Sequence, residues 1–212
     1  MVWLAVASFL TAVYFVIPQT PETKLVLYNG TGLLALIGVI VGIRINRPAD
    51  RVPWVLFAAG LASFLIADVC YYVLELMNGD QGPPFPSIAD FFYLSMYPLM
   101  IVGLARMVRT VAPGRDGATF VDAAVVGISL FGALWVLFVD SVVESSFDST
   151  AAMITQLAYP VMDIAVLTVA ARLVVAVHLR HKPFAFIVSA IGSLAIADTA
   201  YGIYNTAGTF ET

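Results

Sequence analysis

The stretch VPWVLFAAGLASFLIADVCYYVLELM, residues 52–77, decides the fold. It carries no charge other than Asp68 and Glu75. It is longer than the roughly 20 apolar residues a helix needs to cross the hydrocarbon of a bilayer. A carboxyl group inside such a run is expensive, and intramembrane acids usually face a bundle interior or a wet cavity. The run therefore reads as a spanning helix with a purpose built into its second half.

The rest of the chain is of the same kind. Of 212 residues, 61% are hydrophobic and 11% charged, against about half and about a quarter in soluble domains. Mean hydropathy is +0.94. The apolar runs are continuous and lack the alternating segments of about ten residues that build a membrane barrel. The expectation is an all-α, polytopic transmembrane helical bundle forming a single membrane domain over 1–212. Seven spans are expected, at about 2–17, 25–43, 52–77, 88–106, 118–140, 151–177 and 183–206. The first run has no basic leader and no small-residue cleavage site, so it reads as a span, not a signal peptide.

Basic residues set the expected orientation. Arg44, Arg47 and Arg51 follow the second span, Arg106, Arg109 and Arg115 the fourth, and Arg180 and Lys182 the sixth. Arg172 is close enough to snorkel to that side. The opposite loops hold only Lys24. The positive-inside rule puts the amino terminus and the even-numbered exits in the cytoplasm. Seven spans from an inside start leave Thr212 outside, so an eighth span is expected to follow.

Ile-Ala-Asp-x-x-Tyr occurs three times, at Ile66–Tyr71, Ile88–Tyr93 and Ile196–Tyr201. The first and third copies belong to a longer match. Pro53 through Tyr71 aligns without gaps on Pro183 through Tyr201, with identities at Pro53/Pro183, Ser63/Ser193, Ile66/Ile196, Ala67/Ala197, Asp68/Asp198 and Tyr71/Tyr201. Spans three and seven run the same way, so the match implies a truncated 4+4 parallel repeat.

The polar groups concentrate in the outer half of the membrane. Asp68, Asp198 and Asp163 lie at mid to outer depth, and Glu75 shares a face with Asp68 two turns on. Tyr71, Tyr93, Tyr97, Tyr159 and Tyr201 fall at similar levels. No Lys or Arg lies at that depth to neutralise the acids. Either the carboxyls are protonated and donate to neighbours, or they line an outward-opening pocket for a cation, a proton or a polar ligand. The plainer alternative is an interhelical hydrogen-bond cluster, with each bond worth about 0.6–2 kcal/mol. Asp90 reads differently. Pro83, Pro84 and Pro86 precede Ser87, and Ser87-x-x-Asp90 fits an N-terminal helix cap. Tyr97-Pro98 and Tyr159-Pro160 sit inside spans and free the carbonyls of Leu94 and Gln156.

Several chemistries find no support in the sequence. One cysteine, Cys70, excludes an intrachain disulfide and a cysteine metal cluster. His178 and His181 have no further ligands in reach and read as interfacial residues beside Arg180 and Lys182. There is no basic stripe for nucleic acid, no phosphate-binding Gly loop and no nucleophile beside a base. No catalytic residue, metal site or cofactor is expected of this chain. Gly38-x-x-x-Gly42 could be a close-packing seam, which leaves a homodimer open.

Pro86-Ser-Ile-Ala-Asp-Phe-Phe-Tyr-Leu-Ser-Met-Tyr-Pro-Leu-Met100, ending in Gly103-Leu-Ala-Arg106, is a fairly specific string. With Gly114-Arg-Asp-Gly-Ala-Thr-Phe-Val-Asp122 and Ala158-Tyr-Pro-Val-Met-Asp163, it resembles the multi-span amino-terminal membrane region of bacterial, largely actinobacterial, signalling proteins. In those proteins the membrane region precedes cytoplasmic GGDEF and often EAL domains, which make and degrade cyclic di-GMP. The resemblance covers nearly the whole chain. It implies a sensory or input module of the bacterial inner membrane, with a downstream cytoplasmic output domain and an unknown small ligand or ion arriving from outside. It supplies no ligand residues, and the GGDEF and EAL domains themselves are absent from these 212 residues. The alternatives from the residues alone are a small transporter or ion channel, which needs an acid-lined route with two exits, and a structural membrane anchor.

Overall fold

The computed structural model describes residues 2–18, 20–111, 125, 127–129, 132, 149–177 and 182–206. Among these residues all regular structure is helical. The helices are α1 (Val2–Val16), α2 (Asn29–Asn46), α3 (Val52–Asn78), α4 (Ile88–Val111), α5 (Thr150–Val177) and α6 (Lys182–Thr206). A single turn at Pro21–Thr23 and a π-helical segment at Lys24–Tyr28 lead directly into α2.

Among the described residues four helical segments are long and apolar enough to cross a membrane: Leu25–Asn46, Val52–Asn78, Ile88–Thr110 and Thr150–Val174. α1 has 15 residues, short of the roughly 20 needed. Most of the expected span at 118–140 lies outside the described residues. The expected 4+4 parallel repeat is not what the described helices display. Ser63 is buried while its sequence counterpart Ser193 is exposed, and Ala67 is buried while Ala197 is exposed. Equal residues on α3 and α6 therefore do not occupy equal surroundings, because burial is set by neighbours and not by the string itself.

Local chemistry explains the helix boundaries. Pro53 sits in the first turn of α3, where its missing N–H costs nothing. The Val52 N–H ahead of it donates to Asp50 Oδ1 at 3.1 Å. α2 ends at Arg47, whose φ of 42° is left-handed and whose N–H returns to the Ile43 carbonyl. α4 starts on a reciprocal cap. The Ser87 N–H donates to Asp90 Oδ2 at 2.7 Å, and Ser87 Oγ accepts from the Ala89 N–H at 3.2 Å. Two orphan donors of the first turn are satisfied in this way. The helix then continues through Pro98, as α5 does through Pro160.

The chain divides into two compact units, Met1–Gly103 and Leu104–Thr212. In the first, small residues let helices approach closely, the usual device of membrane packing. Gly32 of α2 faces the Leu65 side chain of α3 so tightly that a Cβ would collide with it. Gly60 of α3 faces Met96 and Met100 of α4, and a Cβ on Gly103 would stand 2.7 Å from the Phe57 ring. Across the same α3–α4 contact the Ser63 hydroxyl donates to the Phe92 carbonyl at 2.8 Å. In the second unit α5 packs on α6. Val166, Ala170 and Leu173 form the buried stripe of α5, and Gly127 lies against Thr168. Outward-facing residues such as Val55, Ile66, Val102 and Ile154 are large and exposed, as suits helices that face lipid.

Candidate functional site

The site begins with one stripe of α3. Asp68, Tyr72 and Glu75 stand at i, i+4 and i+7, so they share a face. Asp68 is only 4% exposed. α4 packs beside it and delivers a donor: the Tyr93 hydroxyl reaches Asp68 Oδ1 at 2.6 Å. The Tyr93 ring is held edge-on against Phe64 at 5.3 Å between centroids. The other carboxyl oxygen, Asp68 Oδ2, is buried and has no hydrogen-bond partner. Two turns further on, Glu75 Oε2 is in the same condition.

Tyrosines stand beside the acids. Tyr72 meets Tyr28 edge to face at 6.2 Å, Tyr28 meets Tyr14 at 6.1 Å, and Tyr71 stands perpendicular to Tyr72 at 5.5 Å. Tyr72 lies within electrostatic reach of Asp68, Glu75, Tyr14 and Tyr28, and Tyr93 within reach of Asp68, Tyr28 and Tyr72. These residues form one polar-aromatic cluster inside the first unit.

The π-helical entry to α2 completes the cluster. Tyr28 ends that segment and Asn29 opens α2. A π turn shifts the helix face by one residue and upsets the regular ladder, so such turns often mark functional positions. The Thr31 hydroxyl donates to the Leu27 carbonyl at 2.8 Å and satisfies part of that disturbed backbone. Asn29 keeps both side-chain polar atoms, Oδ1 and Nδ2, buried and without partners. Asn29 directly follows Tyr28, which packs on Tyr72.

The structure therefore brings Asp68, Tyr71, Glu75 and Tyr93 into one unit and one neighbourhood. Tyr97 lies one turn further along α4 and is buried. Asp163 is 8% exposed and sits on the buried stripe of α5, with half-buried Tyr159 one turn before it. Those two belong to the second unit. Asp198 and Tyr201 lie on α6, and their side chains fall outside the described residues. Ser87 and Asp90 are occupied in the cap of α4. Sequence reasoning missed Tyr72, Tyr28, Tyr14 and Asn29. Tyr72 had a signal, since it is i+4 from one intramembrane acid and i−3 from another.

The cluster offers carboxylate oxygens, an amide and phenol groups, in surroundings where unmet polar atoms are costly. Among the described residues no three His, Cys, Asp or Glu side chains converge to hold a metal ion. Such a set can bind a positively charged or hydrogen-bond-donating species. Comparison with family models, curated proteins and solved structures returned no match for the chain.

Proposed function

We propose that this chain is a membrane-embedded input domain, in which occupancy of the Asp68 cluster biases the helices and thereby a cytoplasmic output that makes or degrades cyclic di-GMP. One observation carries the reading. Asp68 is almost fully buried, one oxygen is held by Tyr93, and the other waits without a partner. An unmet buried carboxyl oxygen is costly, and a ligand that pairs with it would offset that cost.

The site also joins three segments, α3, α4 and the π-helical entry to α2. A ligand that pairs with Asp68 gains differential affinity for one helix arrangement, which is what a signal requires. The arginines at 44–51 support, through the positive-inside rule, a reading in which the Asp68–Glu75 end of α3 faces outward. The output belongs to the proposal through the resemblance of Pro86–Met100 and its companion strings to GGDEF-associated membrane regions.

Two measurements test it. The coding sequence read beyond Thr212 is expected to enter a GGDEF domain in frame, and an in-frame stop without one overturns the signalling reading. In the full-length protein, Asp68→Asn is expected to change cellular cyclic di-GMP at least severalfold. Unchanged cyclic di-GMP with the protein folded and present at wild-type level would reduce the cluster to scaffolding.

A further inference from the structure

Resting on that reading of the Asp68 cluster as a ligand site, we infer that its ligand is an organic cation with two ammonium heads, a linear alkyl diammonium. The inference starts from two acids that one small cation does not satisfy. Asp68 Oδ2 and Glu75 Oε2 are both buried and partnerless. They stand on one face of α3, seven residues apart, which is an axial rise of about 10.5 Å. Both side chains tilt toward the helix amino terminus, so the spacing of the two carboxyl groups follows that axial rise. An ammonium or metal ion holds its oxygen ligands within about 3 Å. A single ion at Asp68 therefore leaves Glu75 unmet, and the reverse.

The groups between the acids suit the middle of such a ligand. Tyr72 lies between Asp68 and Glu75 on the shared face, and Tyr28 closes on it at 6.2 Å. Aromatic faces accept an alkyl stem as apolar surface and attract the ammonium ends through the ring quadrupole. The two unmet carboxylate oxygens then face two charges, one at each end of the ligand.

The test uses the 212-residue chain in nanodiscs and radiolabelled 1,4-diaminobutane. Saturable binding is expected, with competition by 1,3- to 1,6-diaminoalkanes passing through an optimum in chain length. Butylamine, which has one head, is expected to compete about tenfold or more weakly, as loss of a buried charge partner does. Asp68→Asn and Glu75→Gln are each expected to weaken binding by a similar factor and to abolish the advantage of the diamine over butylamine. The length profile of the wild-type chain decides even where a variant fails to fold. Absence of saturable diamine binding, a flat length profile, or equal competition by butylamine or sodium overturns the inference. Binding is measured without any output, so a diamine site in a protein lacking a downstream GGDEF domain would keep this inference and sink the signalling one. Regulated cyclic di-GMP without diamine binding would do the opposite.

Discussion

The string Ile-Ala-Asp-x-x-Tyr does two different jobs in two adjacent helices. In α3 it lies mid-helix, and its Asp68 is buried with one oxygen unmet. In α4 it opens the helix, and its Asp90 closes the cap with Ser87. The two copies are also partners, because the tyrosine of the second, Tyr93, donates to the aspartate of the first. They share one thing: the isoleucine is exposed and the alanine fully buried in each, at Ile66-Ala67 and Ile88-Ala89. The alanine marks the face that meets another helix, and the position along the helix decides what the aspartate does. In α6 the third copy breaks even that rule, since Ala197 is exposed.

The contrast between Ala67 and Ala197 gives the largest expected effect. Ala67 is 0% exposed. Ala67→Leu forces three extra carbons into a filled interface and is expected to cost about 3 kcal/mol. Ala197→Leu adds apolar bulk on an exposed face and should stay within about 0.5 kcal/mol. Unfolding by SDS titration in mixed micelles reads both, and equal losses would mean the two copies do pack alike. Next in size is Tyr93→Phe, which strips the donor from Asp68 Oδ1 and leaves both carboxyl oxygens unmet. A loss of about 2 kcal/mol is expected for a buried acceptor deprived of its partner. Tyr71→Phe in the first copy serves as the comparison and is expected to lose less. If the two phenylalanine variants melt together, the bond between the copies is not what fixes α3 on α4.

The same contrast separates what the sequence made legible from what it did not. Asp68 was visible because a charge stands out in a long apolar run, and Asp90 because Pro86-Ser87 announces a helix start. The Tyr93–Asp68 bond was not visible. It depends on the depth at which two helices cross, and that is set by Gly60 against Met96 and Met100 and by Gly103 against Phe57. No local pattern encodes such a register. Asn29 was hidden for another reason. The π-helical turn before it rotates the face of α2, so counting residues at the α-helical period points to the wrong side. The duplication of 53–71 in 183–201 was over-read because identity in small residues does not carry the neighbours that bury them.

Smaller effects sharpen the assignment of roles. Asp90→Ala removes the acceptor of the Ser87 N–H, and the loss of one cap contact is expected to cost about 1 kcal/mol. Asp90→Asn keeps an oxygen in place and should recover part of it. Neither change should affect diamine binding, whereas Asp68→Asn should. An Asp90 variant that lost binding without losing stability would place the second copy in the site beside the first.

Ser63 and Ser193 give the finest comparison. They occupy the same position in the matched stretches, yet only Ser63 is buried. Its hydroxyl reaches the Phe92 carbonyl, one residue before Tyr93, so it pins α4 at the depth that puts Tyr93 on Asp68. Interhelical side-chain bonds in membranes average about 0.6 kcal/mol, and Ser63→Ala is expected to lose that much. Ser193→Ala is expected to lose nothing measurable. The more telling readout is coupling. In a double-mutant cycle, Ser63→Ala and Tyr93→Phe should be non-additive, because both bonds depend on one helix register. Strict additivity would mean that the Tyr93–Asp68 bond forms without help from Ser63, and that glycine packing alone sets the depth of α4.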